Sequence, residues 1–152
     1  MVPMEIRLRT LLGGLAFLLI PSCGLFGGDP TPQELMLSGL ERLESTVRQE
    51  VDDPTRADEA CRHLNAMYEM ERALFEDVAG IQAEMRTANA SHVTSRATLE
   101  DQLRRMHDRR RSFRNEVVPE LAQLRSCLED DEWDMVLATM KKEDQRWNDL
   151  TD

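Results

Sequence analysis

Beyond residue 31, apolar residues recur three and four apart along most of the chain, the spacing that lines one face of an α-helix. Met36, Leu40, Leu43 and Val47 form the first stripe. Ahead of it, Thr31-Pro32-Gln33-Glu34 joins a capping box to a proline at the first helical position. A first helix is predicted from Pro32 to about Val51. Asp53-Pro54 repeats the cap-plus-proline signal. Ala57, Ala60, Leu64, Met67, Leu74, Val78, Ile81, Met85 and Ala88 then follow at helical spacing, interrupted only by Glu71. This seam predicts a second helix from Pro54 to about Ala88, suited to one strand of an antiparallel coiled coil. Cys61, Tyr68 and Phe75, seven apart, widen its buried face.

Asn89-Ala90-Ser91 breaks the pattern, and Ser91, Thr94, Ser95 and Thr98 are all candidate caps for a third helix. Its stripe is Leu99, Leu103, Met106, Phe113, Val117, Leu121, Leu124 and Leu128, with Arg110 as a charged intruder. Pro119 lacks a backbone donor and is expected to kink it. Asp131 is the expected cap of a fourth helix holding Trp133, Val136, Leu137, Met140, Trp147 and Leu150. The pattern predicts an all-α domain over residues 31–152: a four-helix bundle, or a helical hairpin with two flanking helices, dominated by a long antiparallel central hairpin. Gly39 and Gly80 are the only glycines in it, which excludes glycine-rich phosphate loops and disfavours tight β-hairpins.

The first residues follow a different pattern. Arg7 and Arg9 precede an apolar run from Leu11 to Ile20, matching the charged and hydrophobic regions of a signal peptide. That run is well short of the roughly 20 apolar residues of a membrane-spanning helix. The following Leu19-Ile20-Pro21-Ser22-Cys23-Gly24 resembles a lipobox, the signal for lipid attachment and cleavage in bacterial lipoproteins, although Pro21 is atypical. The resemblance implies that residues 1–22 are removed and that Cys23 is lipidated. Gly24 is not the aspartate that retains such proteins at the inner membrane, so it implies an outer-membrane location facing the periplasm. Residues 23–30 then form a glycine-rich tether. At about 3.3 Å per residue, it holds the domain within a few tens of ångströms of the bilayer.

The full chain carries a net charge of −10. Loss of Glu5, Arg7 and Arg9 with the signal leaves the remainder one unit more acidic. So acidic a domain is a poor ligand for nucleic acid, and its faces repel anionic headgroups, so membrane affinity rests on the lipid.

Chemistry-bearing residues are sparse. Cys61, His63, Met67 and Met70 are the nearest approach to a soft-metal cluster. Cys61 and His63 stand two apart on a helix and point in different directions, so neither a metal nor a cofactor is expected there. No nucleophile, base and orienter fall in a recognisable arrangement, so no enzymatic activity is expected. With Cys23 lipidated, Cys61 and Cys127 remain in an oxidising compartment, and a disulfide between them is expected. Pairing those cysteines sets an antiparallel register in which partner numbers sum to 188. The same register places Glu84 against Arg104, Asp77 against Arg111, Leu64 against Leu124, Met67 against Leu121 and Met85 against Leu103, whereas a rival register summing to about 182 would pair Glu71 with Arg110 but cannot join the cysteines. Of the stretch Arg104, Arg105, Arg109, Arg110, Arg111 and Arg114, the first register leaves residues 105 and 109 unpaired. Arg105, Arg109 and Arg110 are therefore candidate contacts for an anion or a partner.

A small helical body in the envelope is loosely similar to the Spy/CpxP class of periplasmic stress chaperones. The Leu-Thr-x-x-Gln motif of that class is absent, and the similarity carries over no residues. The expectation is a non-enzymatic adaptor, chaperone or assembly factor, tethered by lipid and binding another envelope protein. The alternative is a periplasmic sensor or binding protein for a metal or an anionic ligand.

Overall fold

The computed structural model describes residues 31–90 and 95–151 of the chain. The signal segment, Cys23 and the tether lie outside the described residues, as do Ser91 and Thr94. Four helices follow one another: α1 (Pro32–Glu50), α2 (Pro54–Ala90), α3 (Arg96–Ser126) and α4 (Asp130–Thr151). The protein is all-α, with α2 and α3 as the expected long hairpin and α1 and α4 beside it. None of the described helices is long and apolar enough to cross a membrane.

The helix starts follow from local chemistry. Thr31 and Glu34 close a capping box, with the Glu34 amide donating to Thr31 Oγ1 at 3.2 Å and the Thr31 amide to Glu34 Oε2 at 2.7 Å. The Asp53 carboxylate accepts from the amides of Thr55 and Arg56, 2.8 and 3.3 Å away. Ser95 caps α3 through the Thr98 amide at 3.1 Å. Asp131 does not cap α4, which begins one residue earlier. Glu132 instead reaches back to accept from the Glu129 amide at 2.7 Å, satisfying a donor that the helix leaves open. Helix α3 continues unbroken through Pro119.

One core holds the lower half of the hairpin to the flanking helices. Leu40, Val47, Val51, Ala57, Ala60, Cys61, Leu64, Leu124, Leu128 and Val136 are buried together, with Met67, Leu121, Trp133 and Met140 packed against them. Around that core, α1 runs antiparallel to α2, with Arg48 bonded to Asp58 and Asn65 to Glu44. It also runs antiparallel to α4, where Arg42 pairs with Glu143 and the hydroxyls of Thr46 and Thr139 meet at 3.2 Å.

These registers bring the start of α1 and the end of α4 roughly level with Asp77 of α2. Beyond that level α2 and α3 run on as a two-helix arm, about 20 Å long at 1.5 Å per residue. The molecule therefore divides into a four-helix base and a two-helix arm.

Candidate functional site

The arginine stretch lies where the arm leaves the base, and half of it is neutralised internally. Arg105 pairs with Glu84 at 2.6 Å and Arg109 with Asp77 at 2.5 Å, while Arg104 faces Asp101 of its own helix at 3.5 Å. The expectation that residues 105 and 109 stay free is therefore corrected. Glu84 meets the arginine one residue after the expected one and Asp77 the arginine two residues before it, opposite displacements that come from rotation of the helices rather than a slide along them. The charged bond with Arg105 draws the Glu84 carboxyl below its ordinary range. Arg110, Arg111 and Arg114 make no ion pair among the described residues. A shallow groove here is lined by Asp77, Ile81, Arg105, Asp108, Arg109 and Ser112, a mixed-charge surface unsuited to gripping an anion.

The two cysteines do not face each other. Cys61 is buried on the α1 side, near Arg48 and Glu44, and burial raises its thiol. Cys127 ends α3, donates its Sγ–H to the Gln123 carbonyl at 3.3 Å, and lies near Glu59, Arg62 and Arg56. Both thiols are free, so the structure does not carry the expected disulfide. Along the hairpin axis Cys127 is level with Cys61, but it is rotated onto the stripe formed by Glu59 and His63, one helical turn apart.

The ligand atoms of Glu59, His63 and Cys127 all lie within 4.8 Å of one another. Glu59 is exposed, whereas His63 and Cys127 are half-buried, so the cluster opens to solvent on one side. The His63 ring is held by Glu120 of α3, whose carboxylate takes Nδ1 at 2.7 Å. Burial raises the Cys127 thiol, and the Glu59 charge adds to the effect. Beneath the cluster, Arg56 forms two 2.8 Å bonds with Glu132, whose side chain is 9 % exposed, and a third of 3.3 Å to the Cys127 carbonyl. This fork fixes the α3–α4 turn to the start of α2, and it draws the Glu132 carboxyl down. The turn is held further by Arg125, which pairs with Asp130 and lies 5.6 Å over the Trp133 ring.

Sequence reasoning missed this group because it looked along one helix, at Cys61, His63, Met67 and Met70. Two signals were present. Glu59 and His63 stand four apart, and Glu120 and Cys127 stand seven apart, so each pair shares a helix face. Joining the pairs requires the hairpin's rotation as well as its axial register.

Glu71, the intruder in the α2 seam, turns to α4 rather than to Arg110. Burial pushes its carboxyl up to about 7, and Asp144 adds to the shift. Trp133 and Trp147 are both half-buried, with Trp133 against the core.

Compared with known proteins, the chain matches no family model, no curated protein and no solved structure.

Proposed function

We propose that this chain is a lipid-anchored protein of the bacterial cell envelope that acts as a non-enzymatic interaction module, presenting its two-helix arm to another envelope protein. The observation that carries the reading is an exposed leucine on the arm. Leu103 stands 44 % exposed there, although it belongs to the same apolar stripe that buries Phe113, Val117 and Leu124 lower down. In the arm α3 turns Gln102, 6 % exposed, into the seam with α2 and leaves Leu103 facing outward, where an amphipathic helix of a partner would cover it. The lipobox-like Ile20-Pro21-Ser22-Cys23 supports the anchor, and the residue after it supports the outer membrane. A short tether keeps the arm close to the bilayer, which restricts partners to membrane-associated proteins.

The test is photo-crosslinking in intact cells from a reactive residue replacing Leu103 in the full chain, compared with one replacing Leu37 on the base. The reading predicts a discrete adduct with a membrane-associated protein from position 103, lost when Cys23→Ser releases the chain. Equal capture from both positions, or capture that survives Cys23→Ser unchanged, contradicts it.

A further inference from the structure

We infer that Glu59, His63 and Cys127 form a zinc-binding site, with Glu120 as the positioning residue behind His63. The inference is independent of the arm and of whatever binds it. It reverses the expectation from sequence that this chain gathers no metal ligands.

The donor set is the first reason. One imidazole nitrogen, one thiolate sulfur and one carboxylate oxygen are all zinc ligands, and three protein ligands with an open fourth position for water are a recurrent zinc arrangement. Copper(I) favours thiolates and thioethers, and magnesium and calcium favour oxygen alone, so this mixture selects zinc. Geometry is the second reason. Zinc bonds of 2.0–2.3 Å at tetrahedral angles put donor atoms about 3.4–3.8 Å apart. The three donors already lie within 4.8 Å, so side-chain rotations of about an ångström close the cage without moving a helix.

The third reason is the support around His63. Its Nδ1 faces the Glu120 carboxylate at 2.7 Å, and the side chain is only 16 % exposed. That arrangement leaves Nε2 as the nitrogen for the metal and holds the ring in place, as in carboxylate–histidine–zinc triads. The backbone of Cys127 is likewise fixed by Arg56 through its carbonyl. Of the three ligands only Glu59 is exposed, which gives the ion a path in and leaves the fourth position to water.

Binding exchanges the Cys127 Sγ–H bond for a zinc–sulfur bond and releases that proton to solvent, while Glu59 binds as the carboxylate already present. The bound ion joins α2 to the α3–α4 turn at the end of the base farthest from the arm. A disulfide from Cys127 and a metal on Cys127 exclude each other.

The test uses the full chain carrying Cys23→Ser, so that no other thiol outside the described residues contributes, kept reduced and titrated with zinc against a chelating indicator. Cobalt(II) is titrated in parallel, because a thiolate ligand gives it a charge-transfer absorption band. The expected result is one zinc per chain and a cobalt–thiolate band. Cys127→Ser should abolish the band, and it and His63→Gln should each weaken zinc at least about 100-fold. Glu120→Gln, which removes no ligand, should weaken zinc about 10- to 100-fold. Cys61→Ser should leave both readouts unchanged, and helical circular dichroism should be the same in every variant. Absence of a stoichiometric complex overturns the site. Binding that ignores Cys127→Ser and His63→Gln overturns it too, since the ion would then sit on surface carboxylates. So does a Cys61→Ser variant as damaged as Cys127→Ser.

Discussion

The four-helix base and the two-helix arm are built from the same two long helices, yet they hold themselves together differently. In the base, the α2–α3 seam is covered by α1 and α4. Leu124, Val47 and Val136 reach zero exposure there, and Arg56 bridges to Glu132 under the cover. In the arm, the seam has two walls instead of four. It keeps Val78 and Ile81 buried near the base, while Leu103 faces outward. It also encloses Gln102, whose Oε1 is buried without a hydrogen-bond partner among the described residues, and such an orphan costs about 1–3 kcal/mol. Gly80 stands near the foot of the arm with open space where a Cβ would go, and a mid-helix glycine costs about 1 kcal/mol relative to alanine. The difference teaches that a continuous apolar stripe does not produce continuous stability. What counts is how many neighbours cover it.

The largest effect should come from the base. Leu124→Ala opens a cavity where four helices meet, and it is expected to lower unfolding free energy by about 3–4 kcal/mol in denaturant titration. Leu103→Ala removes a side chain of the same type from the arm and should cost less than about 1 kcal/mol, because little buried area is lost. Equal losses at the two positions would erase the distinction between base and arm.

Next in size is a pH effect inside the base. The folded-state pKa of Glu71 is about 7, against 4.5 for the free group, so the folded chain holds a proton there that the unfolded chain releases. Between those values the native state binds more protons, and stability falls as pH rises from about 4.5 to 7, then levels off. Glu132 acts with the opposite sign. Its folded pKa is depressed by Arg56, so its contribution is present above 4.5 and is lost as the pH drops through the lowered value. Glu71→Gln should remove the decline and raise stability at pH 8 by about 3 kcal/mol. A variant with the wild-type slope between pH 5 and 7 would show that Glu71 is not the source.

Much of this architecture was written in local signals. Thr31-Pro32-Gln33-Glu34 and Asp53-Pro54 marked two helix starts because capping needs only neighbours in sequence. The hairpin's axial register was also legible, since complementary charges and matched leucines agree on it. Rotation about the helix axes was not. Cys127 lies level with Cys61 but faces Glu59 and His63, and Asp77 meets Arg109 rather than Arg111. A rotation of that kind depends on which flanking helix packs where. Here α1 claims the Cys61 face, a long-range fact that no spacing along α2 contains. The arm's weakness was only half legible, for Gly80 is visible in sequence, whereas Gln102 reads as an ordinary polar residue until its burial is known.

The smallest expected effects sharpen the comparison from the arm's side. Gly80→Ala and Gln102→Leu should each stabilise the arm by about 1 kcal/mol, the first through helix propensity and the second by removing an unpartnered carbonyl. Amide exchange in residues 82–90 and 96–104 should slow, with little change around Leu64 and Leu124. A uniform slowing through both regions would mean that base and arm unfold as one unit.

Native-state hydrogen exchange on the full chain, without any partner, tests the division between base and arm most directly. Amides around Leu64, Leu124 and Val136 should exchange only through global unfolding. Those in residues 82–90 and 96–104 should open at a free energy at least about 2 kcal/mol lower, because only one helix covers each of them. Protection of the arm equal to that of the base would contradict the account.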